Sequence, residues 1–84
     1  MDALPTTTLL DDILEFVLAR PTLEEIVAYK VPEELDQRLH YLLDRNSQDS
    51  LQLEERAELD EFLRIGHILR MLKAKARLKL ADEE

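Results

Sequence analysis

The chain predicts an all-α fold, a small bundle of about four helices with a long C-terminal one, and three observations carry that expectation. Eighteen of the 84 residues are Leu, Gly occurs once, and Glu, Lys, Arg and Ala fill much of the remainder, which is the composition of strong helix formers. Apolar residues recur at three- and four-residue spacing in separate stretches. Those stretches are divided by proline, by capping residues and by one apolar-free segment.

The first helix is expected near 9–19. Thr8 stands as a hydroxyl cap with Asp11 three residues on, and Leu10, Ile13, Leu14, Val17 and Leu18 follow at helical spacing. Arg20-Pro21 ends it, because the residue before proline is pushed out of the helical region and Pro21 has no N–H for the ladder. Thr22-Leu23-Glu24-Glu25 is a capping box, so a second helix of about two turns is expected near 22–30, with Leu23, Ile26, Val27 and Tyr29 as its apolar residues. Val31-Pro32-Glu33-Glu34 punctuates again, with Pro32 suited to a first helical position and two acids against the positive end of the helix dipole. A third helix follows over 32–45, with Leu35, Leu39, Leu42 and Leu43 as its stripe. Glu34 with Arg38, and Asp36 with His40, stand at the spacing of surface pairs.

Asn46-Ser47-Gln48-Asp49-Ser50 has no apolar residue and reads as the reversing loop. From Leu53 to Leu80 only Gly66 interrupts the helical pattern, so the fourth helix is expected over 53–80, about 42 Å long. That is longer than the core of so short a chain can cover, and the first three helices are expected to pack on its first half. Leu59, Phe62, Leu63, Ile65, Ile68, Leu69 and Leu72 read as its core residues. Gly66 costs about 1 kcal/mol relative to Ala inside a helix, so it is expected at a close approach of another backbone or at a bend, with a crossing against helix one or three favoured over a hinge.

Charge is unevenly placed. Residues 1–63 hold 16 acids and 5 bases, residues 64–79 hold Arg64, Arg70, Lys73, Lys75, Arg77 and Lys79 with no acid, and three acids close the chain, for a net charge of −8. Acids early and bases late in a helix complement its dipole, yet six bases in sixteen residues exceed what one last turn uses. A single soluble domain follows, cytoplasmic by exclusion: cysteine is absent, no apolar run approaches the length of a membrane span, and the N-terminus lacks the basic, apolar pattern of an export signal.

Each candidate for chemistry has a plainer reading beside it. Asp36, His40 and Asp44 stand at successive i, i+4 steps, as metal ligands on one helix face would, but a solvated face has the same spacing and no second cluster supplies further ligands. His67 lies between Arg64 and Arg70, which oppose a general base, and no nucleophile is near it in sequence. The acid pairs Asp11-Asp12, Glu24-Glu25, Glu33-Glu34 and Glu54-Glu55 all fall in first helical turns, where dipole complementarity accounts for them. No enzyme, metal or cofactor is therefore expected. The basic segment Arg64–Lys79 suits a phosphate backbone, an anionic surface or an acidic protein groove. It also suits simple coverage of this chain's own acidic helices. Against nucleic acid stand the net negative charge and the absence of aromatic residues from the tail.

Leu53-Glu54-Glu55-Arg56-Ala57-Glu58-Leu59-Asp60-Glu61-Phe62-Leu63, followed by Leu69-Arg70-Met71-Leu72-Lys73-Ala74-Lys75-Ala76-Arg77, resembles a family of short, mostly uncharacterised bacterial helical proteins. Their shared pattern is L-T-x-E-E-x-x-E-L, then an aromatic residue or Leu, then L-x-x-L-K-A-x-A. Pro21-Thr22-Leu23-Glu24-Glu25-Ile26 resembles the family's P-[ST]-x-E-x-I segment, so the similarity spans residues 9–80. Gln52 departs from the family's Thr at the opening of the long helix and is a weaker cap. Genes of this family often stand beside genes for HNH-type nucleases, which implies an antitoxin-like or accessory partner role. The expectation is a non-catalytic protein-interaction module with a protein partner, a nuclease by that resemblance. The alternatives are nucleic-acid binding through Arg64, Arg70, Lys73, Lys75, Arg77 and Lys79, and homo-oligomerisation through the long helix.

Overall fold

The computed structural model describes residues 8–83, which form four helices: α1 Leu9–Leu18, α2 Leu23–Ala28, α3 Glu33–Ser47 and α4 Leu53–Glu83. The export-signal reading of the N-terminus rests largely on residues 1–7, and the final acid is Glu84; these lie outside the described residues.

α1, α2 and α4 begin where their capping chemistry sits. The Thr8 hydroxyl accepts from the Asp11 amide at 3.1 Å. Thr22 and Glu25 exchange both bonds of the box, at 3.1 Å and 2.8 Å. At Gln52 half of the box forms: Glu55 accepts from the Gln52 amide at 3.1 Å, while the Gln52 carbonyl accepts from Arg56 at 2.9 Å and so opens the ladder. Pro32 stands one residue outside α3 as its cap, a shift from the expected first helical position.

α1 and α3 are closed by left-handed residues. Asp49 (φ 60°) ends α3 in a Schellman turn, with the Ser50 amide bonded to the Arg45 carbonyl at 2.9 Å and the Asp49 amide to that of Asn46 at 3.0 Å. This closure carries α3 two residues past the expected Arg45. Arg20 (φ 58°) ends α1 in the same way, but Pro21 has no N–H for the longer bond and only the Arg20-to-Val17 bond forms. α1 therefore stops one residue before the expected Ala19. α2 is also shorter than 22–30, because Tyr29 turns extended (ψ 135°) to lead into Val31-Pro32.

The core is one cluster in which Leu9 and Ile13 of α1, Tyr29, and Leu35 and Leu42 of α3 lie on Leu59, Phe62, Ile65 and Leu69 of α4. Leu42 and Leu59 are its fully buried centre. All three short helices pack on α4, α2 most extensively. The tail of α4 is not left bare, as the length argument predicts: Lys73 donates to the Tyr29 carbonyl at 2.6 Å, and Ala76, three residues on, is only 3 % exposed. The shortest helix thus serves the second half of the longest.

Two further expectations are corrected. Leu63 and Ile68 of α4 are half exposed, at 51 % and 52 %, and so are Leu14 and Val17 of α1, whose inward face is Leu9, Ile13 and Phe16. The expected stripe of α1 is turned largely outward. Nor does a backbone cross at Gly66: a Cβ built there meets only the end of the Arg70 side chain, at 3.7 Å, because Gly66 sits beside the core face and not within it. Gly66→Ala is expected to raise stability by about 0.5–1 kcal/mol, and Leu42→Ala to cost about 2–5 kcal/mol. Chemical denaturation monitored by circular dichroism measures both.

Candidate interaction surface

The six bases of the predicted site do not form one face. Arg64 is taken up by Glu61 three residues before it, and Lys73 by the Tyr29 carbonyl. Arg70, Lys75, Arg77 and Lys79 are exposed and pair with no other described residue. At 3.6 residues per turn, Arg70 and Arg77 line one flank of α4 and Lys75 and Lys79 the other. Between the flanks run Met71, Ala74 and Leu78, all exposed. The arrangement is an apolar strip edged by bases, whereas a phosphate-tracking site needs its charges convergent.

A second apolar surface lies on α1. Leu10, Leu14, Val17 and Leu18 stand at i, i+4, i+7 and i+8, so they share one face, and their exposures are 38, 50, 46 and 75 %. Asp11 and Glu15 on the same short helix are exposed beside it. The inner side of α1 is held by the Phe16 ring, 4.8 Å from that of Tyr29, and by Asp12, which accepts the Tyr29 hydroxyl. An open cleft of about 520 Å³ lies over this aromatic pair, between Pro21, Glu25 and Lys30.

Tyr29, Arg38 and Glu55 are committed to structure. Burial, and then the hydrogen bond and negative charge of Asp12, push the Tyr29 hydroxyl well above its usual value, so it stays protonated at neutral pH and is no acid–base group there. Arg38 turns away from the expected partner Glu34 and grips Glu58 of α4 with two bonds of 2.8 Å. That pair raises the Arg38 pKa further still. Arg45 lies 3.4 Å from Glu55, and Arg38 and Arg45 both stack on the Tyr41 ring, at 4.9 Å and 5.5 Å. The Gln52 amide above all, with Arg45 and Tyr41 helping, holds the Glu55 carboxyl below its usual range despite a smaller opposing effect of burial. Sequence spacing could not show Arg38 with Glu58, Arg45 with Glu55 or Tyr29 with Asp12, because each of these pairs joins different parts of the fold.

At the other sequence candidates, His40 uses its Nδ1 on the Asp36 carbonyl at 2.8 Å, and Asp44 accepts from Gln48 at 3.3 Å. No group of three or more His, Asp or Glu side chains that could hold a metal comes together among the described residues. No described helix is long and apolar enough to cross a membrane.

Two pH responses follow. The folded Tyr29 value is raised, so its contribution to stability is complete below the unfolded value of about 10 and is lost as pH rises beyond it. In Tyr41→Phe, where Tyr29 is the sole tyrosine, tyrosinate absorbance should appear only together with loss of helical signal. The folded Glu55 value is lowered, so its contribution is present above the unfolded value of about 4.3 and is lost as pH falls through the folded one. Glu55→Gln should flatten the acid limb of the stability profile measured by urea titration.

Comparison with protein families, with curated proteins and with solved structures gives no match to this chain.

Proposed function

We propose that this protein is a cytoplasmic, non-catalytic interaction module that docks a cationic protein partner on the outer face of α1. The single observation behind the reading is the outward stripe Leu10, Leu14, Val17 and Leu18, an apolar face of a ten-residue helix left in water. A helix whose apolar arc is wider than its core contact suits helix-in-groove recognition, in which i, i+4 and i+7 side chains are the anchors. Acids near the stripe, and the net charge of −11 over residues 1–63, favour a basic partner and steer its approach. The resemblance to proteins encoded beside HNH-type nucleases makes a nuclease the first partner to test, in an antitoxin-like or accessory role.

Nucleic-acid binding is the second reading, supported by the exposed, unpaired Arg70, Lys75, Arg77 and Lys79. One comparison separates the two. A tagged chain is used to recover partners from cells at about 0.15 M salt after nuclease treatment, alongside Leu14→Asp/Leu18→Asp and Lys75→Gln/Arg77→Gln/Lys79→Gln variants. The docking reading expects one basic protein in near-stoichiometric yield, lost with the α1 variant and kept with the α4 variant. Recovery that depends on intact nucleic acid and on the three bases of α4 would reverse the assignment.

A further inference from the structure

The side of α4 that turns away from the core is open along its length, and the ion pair it carries, Arg64 with Glu61, leaves both side chains accessible, at 69 and 40 %. Ala57, Arg64, Ile68, Met71, Lys75 and Leu78 are all exposed, with Glu61 half-buried among them, and together these residues alternate by four and three positions. That is the 3.5-residue period with which one helix follows another for several turns. Ile68, Met71 and Leu78 are 52, 48 and 67 % exposed on this stripe, which is unusual for large apolar residues at a single helical register.

The charges on the stripe identify what covers it. Glu61 and Lys75 stand seven residues to either side of Ile68. A twofold axis through Ile68, relating two copies of α4 in antiparallel order, therefore places Glu61 of each copy beside Lys75 of the other, twice per pair of chains. The stripe is self-complementary in this orientation only, since parallel copies would set Glu61 on Glu61 and Lys75 on Lys75. More broadly, the acids of 53–61 come to lie along Lys75, Arg77 and Lys79 of the second copy. Glu54 then approaches Asp82, at the solvated ends of the helices, where salt screens the repulsion and Lys79 is one turn away. Length favours the arrangement too: 31 residues give about 46 Å of helix, close to the 48 Å long axis of the molecule, so the contact can run its full extent.

From this geometry we infer that a second copy of the chain covers the back of α4, forming an antiparallel dimer whose twofold axis passes at Ile68 and whose register is set by Glu61 and Lys75. The surface is separate from the α1 stripe, so the dimer stands or falls independently of the partner reading.

The chain has no cysteine, which allows a direct test. The mass of the full chain is followed by light scattering and sedimentation from about 1 to about 200 µM at about 0.15 M salt, and a dimer is expected within that range. Glu61→Lys and Lys75→Glu are each expected to weaken it by about tenfold, and the double reversal in one chain to restore it. Oxidised Ile68→Cys should cross-link to itself, and oxidised Leu53→Cys should not. A monomer at every concentration overturns the inference, as does self-cross-linking at Leu53, which marks a parallel pair, or failure of the double reversal to recover what each single change loses. Circular dichroism of each variant, all at exposed or half-exposed positions, separates loss of association from loss of fold.

Discussion

The length of α4 is the constraint on which the rest of the structure depends. A helix of 31 residues presents about 46 Å of surface, and the three helices before it have 10, 6 and 15 residues with which to cover one side. They do so by spreading along it, not by stacking into a compact bundle. The dimensions of 48 × 24 × 16 Å and the radius of gyration of 15.0 Å record the result; a compact chain of this length would have a radius near 12 Å. A small core follows directly. Nine residues form the central cluster, and many large apolar side chains remain in water.

With so thin a core, the polar contacts between helices take on the work of fixing registers. Arg38 to Glu58 joins α3 to α4 with paired charged bonds, and the side chains of both are largely withdrawn from solvent, at 14 and 27 % exposure. Lys73 to the Tyr29 carbonyl ties the end of α2 to the second half of α4, and Tyr29 to Asp12 ties that same residue to α1. Tyr29 is therefore the joint of the molecule: its ring packs on Phe16, its hydroxyl meets α1, and its carbonyl meets α4. The same economy explains why Tyr29 and Lys73 both have partners inside the fold.

What remains unpaired after folding is a better guide to function than what was charged or apolar in the sequence. Six bases within sixteen residues suggested one cationic site, but folding assigns two of them to internal partners and sends the other four to opposite flanks of a helix. The apolar residues behave in the converse way. Leu10, Leu14, Val17 and Leu18 on α1, with Leu63 and Ile68 on α4, had the spacing of core positions and instead stand exposed to solvent.

The sequence by itself determined the helical class, the number of helices and their starts, because these rest on neighbours within four residues: Thr8 with Asp11, Thr22 with Glu25, Gln52 with Glu55, and the prolines that forbid continuation. It also placed the long C-terminal helix and its reversal of charge. Only the tertiary structure decided which apolar arc of each helix is buried. On α1 and α4 that arc is wider than the contact available, and periodicity gives the direction of an apolar face without saying where the neighbouring helix will stop. The partners of Arg38, Lys73 and Tyr29 were decided there as well, since each lies seventeen or more positions away along the chain and is brought within hydrogen-bond reach by packing alone. Gly66 was misread for the same reason, because a missing side chain marks a cost in the helix and says nothing of whether another backbone is near.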